Sequence, residues 1–225
     1  MSILGLDVGL DQGLISLASW RVIRAEGRRF VYIRCGEGMG TVDPQFASNT
    51  VGSRMAGLAP GPYFVLHPDE DPVAQAKLHF TLSKGLGTKK GDLAPVCDTE
   101  LLRGQTPQQV LEATIAWCNQ AALLWGRVPT VYSYPNFVRQ CLQGTLSGAS
   151  LAGTNLWLAA YGVAAPPVLA PWKSVLFWQD TGGDEFRVPN GCPCDTDQFN
   201  GDEQAFADAC DPSAQPVESL ASETT

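Results

Sequence analysis

Histidine is nearly absent: the 225 residues include two, His67 and His79. A Ser-His-Asp triad or a histidine-rich metal centre is therefore poorly supplied. Cations are also few, with 15 Lys and Arg against 23 Asp and Glu and a net charge of -8. That balance argues against a nucleic-acid partner, because neutralising phosphates needs clustered Lys and Arg. It gives no help in approaching an anionic wall or membrane, so recognition has to come from a specific cleft. No uncharged apolar run approaches the roughly 18 residues of a membrane span, and no membrane partner is expected. The leading MSILGLDVG has neither a basic region nor an apolar stretch of signal-peptide length. The expectation is synthesis in a cytoplasm without a secretion signal.

Phosphate-binding loops are missing as well. Gly36-Glu37-Gly38-Met39-Gly40 does not match the dinucleotide fingerprint, and Glu37 would repel a pyrophosphate. The stretch Gly85 to Gly91 precedes a strand pattern, not the helix that an anion loop serves. Seven cysteines, an odd number, are scattered along the chain and read as free, mostly buried thiols. Only Cys192, Cys194 and Cys210 are close enough in sequence for a local disulfide or metal site, and a zinc site would want a fourth ligand.

What is present is 44% hydrophobic and 17% charged residues, the balance of a domain that buries a core. Strand patterns fall at Ile3 to Val8, Phe30 to Ile33, Pro62 to Leu66, Leu93 to Cys97, Pro129 to Ser133, Leu156 to Ala159 and Val175 to Gln179. Asp184 to Val188 is a candidate eighth. Between them, helices are expected from Ser16, from Pro44, from Asp69 and from Thr106, where Pro107 and a stop at Gly126 mark the ends. A short helix spans Asn136 to Leu142, after which helices thin out. Strand and helix alternate, so the fold class is α/β: an irregular TIM-like (β/α) barrel with fewer helices in its C-terminal half. The barrel is expected over residues 1–201. Residues 202–225, rich in Asp, Glu, Ser, Thr and Ala, read as an acidic C-terminal tail or docking arm.

In such a barrel, functional residues lie at the C-terminal ends of the strands. Those ends carry Asp7, Arg34, Tyr63, His67, the Asp98-Thr99-Glu100 run, Tyr132, Trp157 and Gln179, with Asp195 after the last candidate strand. Cleaving a glycosidic bond takes a carboxylic acid to protonate the leaving oxygen and a second carboxylate to manage charge at the anomeric carbon. Asp98 and Glu100 are two apart, so an extended backbone projects both to one side. With Asp7 and Asp195 near, like-charge repulsion is expected to keep a proton on one carboxyl at neutral pH. An Asp-x-Glu is common in solvated turns, and strand-end aromatics are commonly core. Their coincidence at successive strand ends distinguishes the site from those readings. His79 reads as structural, while His67 could line the cleft.

These residues resemble the family 25 glycoside hydrolases, lysozymes of bacteria and phages that cleave after N-acetylmuramic acid. Gly5-Leu6-Asp7-Val8 with Gln12-Gly13 resembles the opening strand of that family. Asp43-Pro44-Gln45-Phe46, Gly61-Pro62-Tyr63-Phe64, Pro95 to Glu100, Leu156 to Ala159, Trp178-Gln179 and Asp195 to Gly201 follow in register. The resemblance implies Glu100 as general acid. It implies that Asp98 assists the substrate N-acetyl group or positions a water, with Asp7 and Asp195 tuning the pair. Tyr63, Tyr132, Trp157, Arg34 and Gln179 would bind the sugar. No cofactor or metal is implied. Gly9 replaces the family's Ser, and Cys35 to Gly38 departs from Ala-Thr-x-Gly. The partner implied is bacterial peptidoglycan, reached by holin-dependent release or as a virion component docked to virion proteins through the tail. The alternative is a non-catalytic glycan-binding or structural virion protein that retains the barrel.

Overall fold

The computed structural model describes residues 2–146 and 148–214. Eight strands close into a barrel: β1 (Ile3–Val8), β2 (Arg28–Glu37), β4 (Ala59–Val65), β5 (Val96–Asp98), β6 (Thr130–Ser133), β7 (Asn155–Ala159), β8 (Phe177–Arg187) and β9 (Pro193–Phe199). A two-residue strand, β3 (Thr41–Val42), folds back on the end of β2 as a flap. Neighbours from β1 through β8 run parallel, and β9 runs antiparallel between β8 and β1 to complete the circle.

The helices start where capping chemistry puts them. Ser16 accepts from the Ser19 backbone N–H and opens α1 (Leu17–Ala25). α2 spans Phe46–Met55. Asp71 accepts from the N–H groups of Val73 and Ala74 to open α3 (Pro72–Ser83). The expected start at Asp69 moves in because a carboxylate serves as the cap here, not as a first-turn residue. Thr106 and Gln109 form a reciprocal capping box at the head of α4 (Pro107–Trp125), and Gly126, in the left-handed region at φ 65°, stops it. After α4 the helices are short: α5 (Pro135–Phe137) runs on as a π-helical turn to Leu142, single 3-10 turns lie at Leu151–Gly153 and Pro212–Ala214, and α6 spans Glu203–Ala209, in keeping with the expected thinning.

Three expectations need correction. The Gly-rich stretch after Ile33 is strand, not loop: β2 continues to Glu37, shifting register between Arg34 and Gly36. A Cβ on Gly36 would lie 2.6 Å from the Thr41 carbonyl oxygen, so glycine is what lets the flap close. The eighth barrel strand is Pro193–Phe199, whereas residues 184–187 extend β8 beyond the barrel. Finally, the chain beyond residue 201 does not leave as an arm at once. Phe206 of α6 packs under the barrel against Phe30 and Phe199, with ring centroids 5.9 and 5.2 Å away. Fully buried Arg127 donates to the carbonyls of Gly87, Asp92 and Ala209 and ties this segment to the floor. An apolar face docked on an aromatic core outweighs the acidic composition. Residues 215–225 of the expected tail lie outside the described residues.

The barrel interior is aromatic, with Phe30, Tyr32, Trp157, Phe177 and Phe199 in one buried cluster. A second cluster joins α3 and α4 to the outer faces of β4–β7, and a third seats α1 and α2 on β1 and β2. His79 sits in the former, stacked on Phe64 and Trp117 and unpartnered, with burial lowering its pKa to about 3. It is neutral and structural. All seven cysteines are free thiols. Cys194 packs with β1 and β2 while Cys210 packs under the barrel, so the local disulfide left open above does not form.

Candidate active site

Parallel strands deliver their last residues to one end of the barrel, and a cleft of about 280 Å³ opens there. It is lined by all nine residues expected from the sequence: Asp7, Arg34, Tyr63, Asp98, Glu100, Tyr132, Trp157, Gln179 and Asp195. Asp11 and Val65 complete the lining. Asp7 is the last but one residue of β1 and lies directly across the antiparallel ladder from Asp195 on β9. Antiparallel β9 thus brings the beginning of its own strand to the cleft, so Asp195 belongs to a barrel strand where the sequence suggested a loop.

β5 ends at Asp98, and Glu100 follows in the extended segment pinned by the Thr99 N–H donating to the Tyr132 carbonyl. Asp98 is 6% exposed and its Oδ1 has no hydrogen-bond partner. Burial first, then the charge of Glu100, pushes its carboxyl well above the usual range. Glu100 is half-open to the cleft; burial, then Glu37 and Asp195, raise it too. Asp7 rises to about 8, again through burial before the charge of Asp195. Repulsion was expected to be the main cause. Desolvation comes first, because the aromatic interior sits directly beneath the acids.

Gln179 holds the acids apart and in place. Its Nε2 donates to Asp7 Oδ2 at 2.7 Å and to Asp195 Oδ2 at 3.3 Å. Its Oε1 accepts from the hydroxyls of Tyr132 at 2.9 Å and Tyr161 at 2.5 Å. Trp157 forms the floor, stacked on Tyr32 at 4.7 Å and met edge-on by Tyr132 and Tyr63. At 2% exposure it is core as much as cleft.

His67 does not line the cleft. Its two ring nitrogens meet Glu37 at 3.0 Å and Glu70 at 3.3 Å, on a rim that also includes the Arg34–Glu37 pair at 3.6 Å. The residues that sequence reasoning missed are Asp197 and Tyr161, together with the pairing of His67 with Glu37. Asp197 is completely buried and accepts from the Trp157 indole N–H at 2.8 Å. Its place two residues beyond Asp195 was a usable signal, since alternation puts both on one strand face. Among the described residues no group of His, Cys, Asp and Glu is arranged to hold a metal ion.

A closed α/β barrel with carboxyls gathered over an aromatic floor at the strand ends defines a barrel glycosidase. The sequence model of the glycosyl hydrolases family 25 matches residues 6–187. The chain belongs to that family and is a glycoside hydrolase. It is 26% identical over 208 residues to Lysozyme M1 of Streptomyces globisporus, covering 88% of this chain and 67% of that protein. The structure superposes on the bacterial lysozyme of Streptomyces coelicolor with a TM-score of 0.83, at 24% identity and covering 93% and 97% of the two chains. It superposes on a family GH25 lysozyme of Aspergillus fumigatus with a TM-score of 0.79, at 23% identity and covering 94% and 100%.

Proposed function

We propose that the chain is a 1,4-β-N-acetylmuramidase that cleaves bacterial peptidoglycan between N-acetylmuramic acid and N-acetylglucosamine. The observation that carries this reading is the pairing of a half-open acid, Glu100, with a deeply buried one, Asp98, at one strand end. Glu100, whose carboxyl burial raises above its ordinary range, faces the cleft and in its protonated form donates to the leaving glycosidic oxygen. The acetamido oxygen of the substrate attacks the anomeric carbon as the bond breaks. Asp98, whose Oδ1 has no partner in the protein, accepts the acetamido N–H and stabilises the charge that develops on that group. Glu100, now a carboxylate, takes a proton from the water that opens the cyclic intermediate. Asp7, Asp195 and Gln179 set the field in which the pair works. Tyr63, Tyr132 and Trp157 border the sugar, and Arg34 lies at its side.

The test is release of reducing ends from purified peptidoglycan, with borohydride reduction to identify the sugar. Muramitol in the product, falling on the order of 10²- to 10⁴-fold in Glu100→Gln, supports the reading. Glucosaminitol in its place, or undiminished release by the variant, overturns it. To this reading we add a delivery route, holin-dependent release or carriage in a virion. The relatives reported above are bacterial and fungal, so the route is tested on the protein itself: absence from purified virions removes the virion-borne form and its tail-docking partners.

A further inference from the structure

We propose that Asp197 is a positioning residue of the hydrolytic site, one carboxyl oxygen holding the Trp157 indole and the other sharing a proton with Asp7. The proposal rests on the glycosidase reading of the cleft and adds a residue that the sequence motifs did not single out. Asp197 Oδ1 accepts from Trp157 Nε1 at 2.8 Å, so the orientation of the cleft floor depends on it. Asp197 Oδ2 is buried and meets no donor from the protein. A carboxylate oxygen left so pays the full desolvation penalty, which a proton on it relieves at once.

The acceptor for that proton is set by strand register. In the β1–β9 ladder Asp7 lies opposite Asp195, and Gly5 lies opposite Asp197. Asp195 and Asp197 therefore flank Asp7 on one face, the first directly across and the second on the diagonal. The Asp197 carboxyl is within hydrogen-bonding reach of Asp7. Gly5 offers no side chain to separate them, and the Phe30 ring fills the space where its Cβ would be. Two carboxylates in an aromatic interior cannot both ionise cheaply, and one proton between them neutralises one charge and bonds both groups. The other ionisable groups around Asp197 are Arg28 and Tyr32 on β2, Tyr161 after β7, Asp180 on β8, and Cys194 and Asp195 on β9. Arg28 is the cation among them, and it donates to the Gly5 carbonyl.

The experiment compares Asp197→Asn and Asp197→Ala in the full chain. It measures melting temperature, kcat and KM against pH on solubilised peptidoglycan, and the carboxyl ¹³C titration of Asp7 without substrate. An asparagine reproduces the protonated form, accepting from Trp157 and donating to Asp7, whereas an alanine does neither. The expected result is a kcat on the order of tenfold lower in Asp197→Ala, with most of it restored in Asp197→Asn. In wild type the Asp7 carboxyl responds in two steps, its own ionisation and that of Asp197, and in Asp197→Asn the partner's step is lost while the first stays in place because the donor is kept. An Asp7 titration unchanged in Asp197→Asn overturns the shared proton, as does a wild-type kcat in Asp197→Ala. If Asp197→Ala does not fold, the Asp197→Asn titration decides the matter alone. That titration needs no turnover, so it stands even if the protein hydrolyses no peptidoglycan.

Discussion

Gln179 is buried to 2% exposure with its carbonyl oxygen and its amide nitrogen both engaged, the oxygen by two tyrosines and the nitrogen by two aspartates. A hydrophobic replacement leaves four polar groups without it. Gln179→Leu should lower kcat/KM on the order of tenfold or more, measured on solubilised peptidoglycan, chiefly through buried Asp7, whose lost donor costs about 1–3 kcal/mol. Asp7 makes a second residue-level case. Its pKa of about 8 in the fold lies above the ordinary 3.8, so between those values the native state binds the extra proton. Its favourable contribution is therefore complete below pH 3.8 and is lost as pH rises through about 8. Asp7→Asn removes that loss. The variant should melt higher than wild type at pH 8.5 and gain less at pH 5, by about 2–4 °C per kcal/mol relieved, while activity falls. Residues of this kind were legible in the sequence when they lay at or near the C-terminal end of a parallel strand, as Asp7, Tyr63, Asp98 and Tyr132 do. Tyr161 was not, since it sits beyond its strand, and Asp197 could be reached only by alternation from Asp195 once that segment is known to be strand.

Helices announced themselves through their caps: Ser16, Thr106 with Pro107, and Gly126 each stand at an end. β9 was hidden because its inward positions are filled by Asp195 and Asp197, residues depleted in strands, so functional chemistry erased the apolar alternation. α6 was hidden by its solvent face. Of its seven residues only Phe206 and Ala209 are buried, and the rest carry the acidic composition that reads as tail. Its contribution can be measured directly. Phe206→Ala should destabilise the protein by about 3–5 kcal/mol, seen as a lower midpoint in urea. A midpoint unchanged from wild type would show that the floor of the barrel does not depend on this helix.

Over the whole molecule the net charge of -8 opposes approach to an anionic wall. Added salt should therefore raise the initial rate on intact walls between 10 and about 150 mM, as the screening length shortens to roughly 8 Å. Hydrolysis of a neutral oligosaccharide should change little. The thiols offer a check on the global packing. Cys192 is the one cysteine that is not buried, so it should react first with a thiol reagent, and the other six only on unfolding.

The barrel seam has a consequence for the order in which the protein becomes active. Asp7 lies on the first strand and Asp195 on the last, and they meet only across the ladder that closes the circle. A chain still being synthesised can place Asp98 at the end of β5 and Glu100 just after it long before β9 emerges, yet its first strand has no partner on that edge. Long-range pairing of this kind is slow and comes late in folding. The hydrolytic site is thus completed by the last strand of the barrel to emerge, and a chain that stops short of β9 lacks Asp195 and the closed cleft.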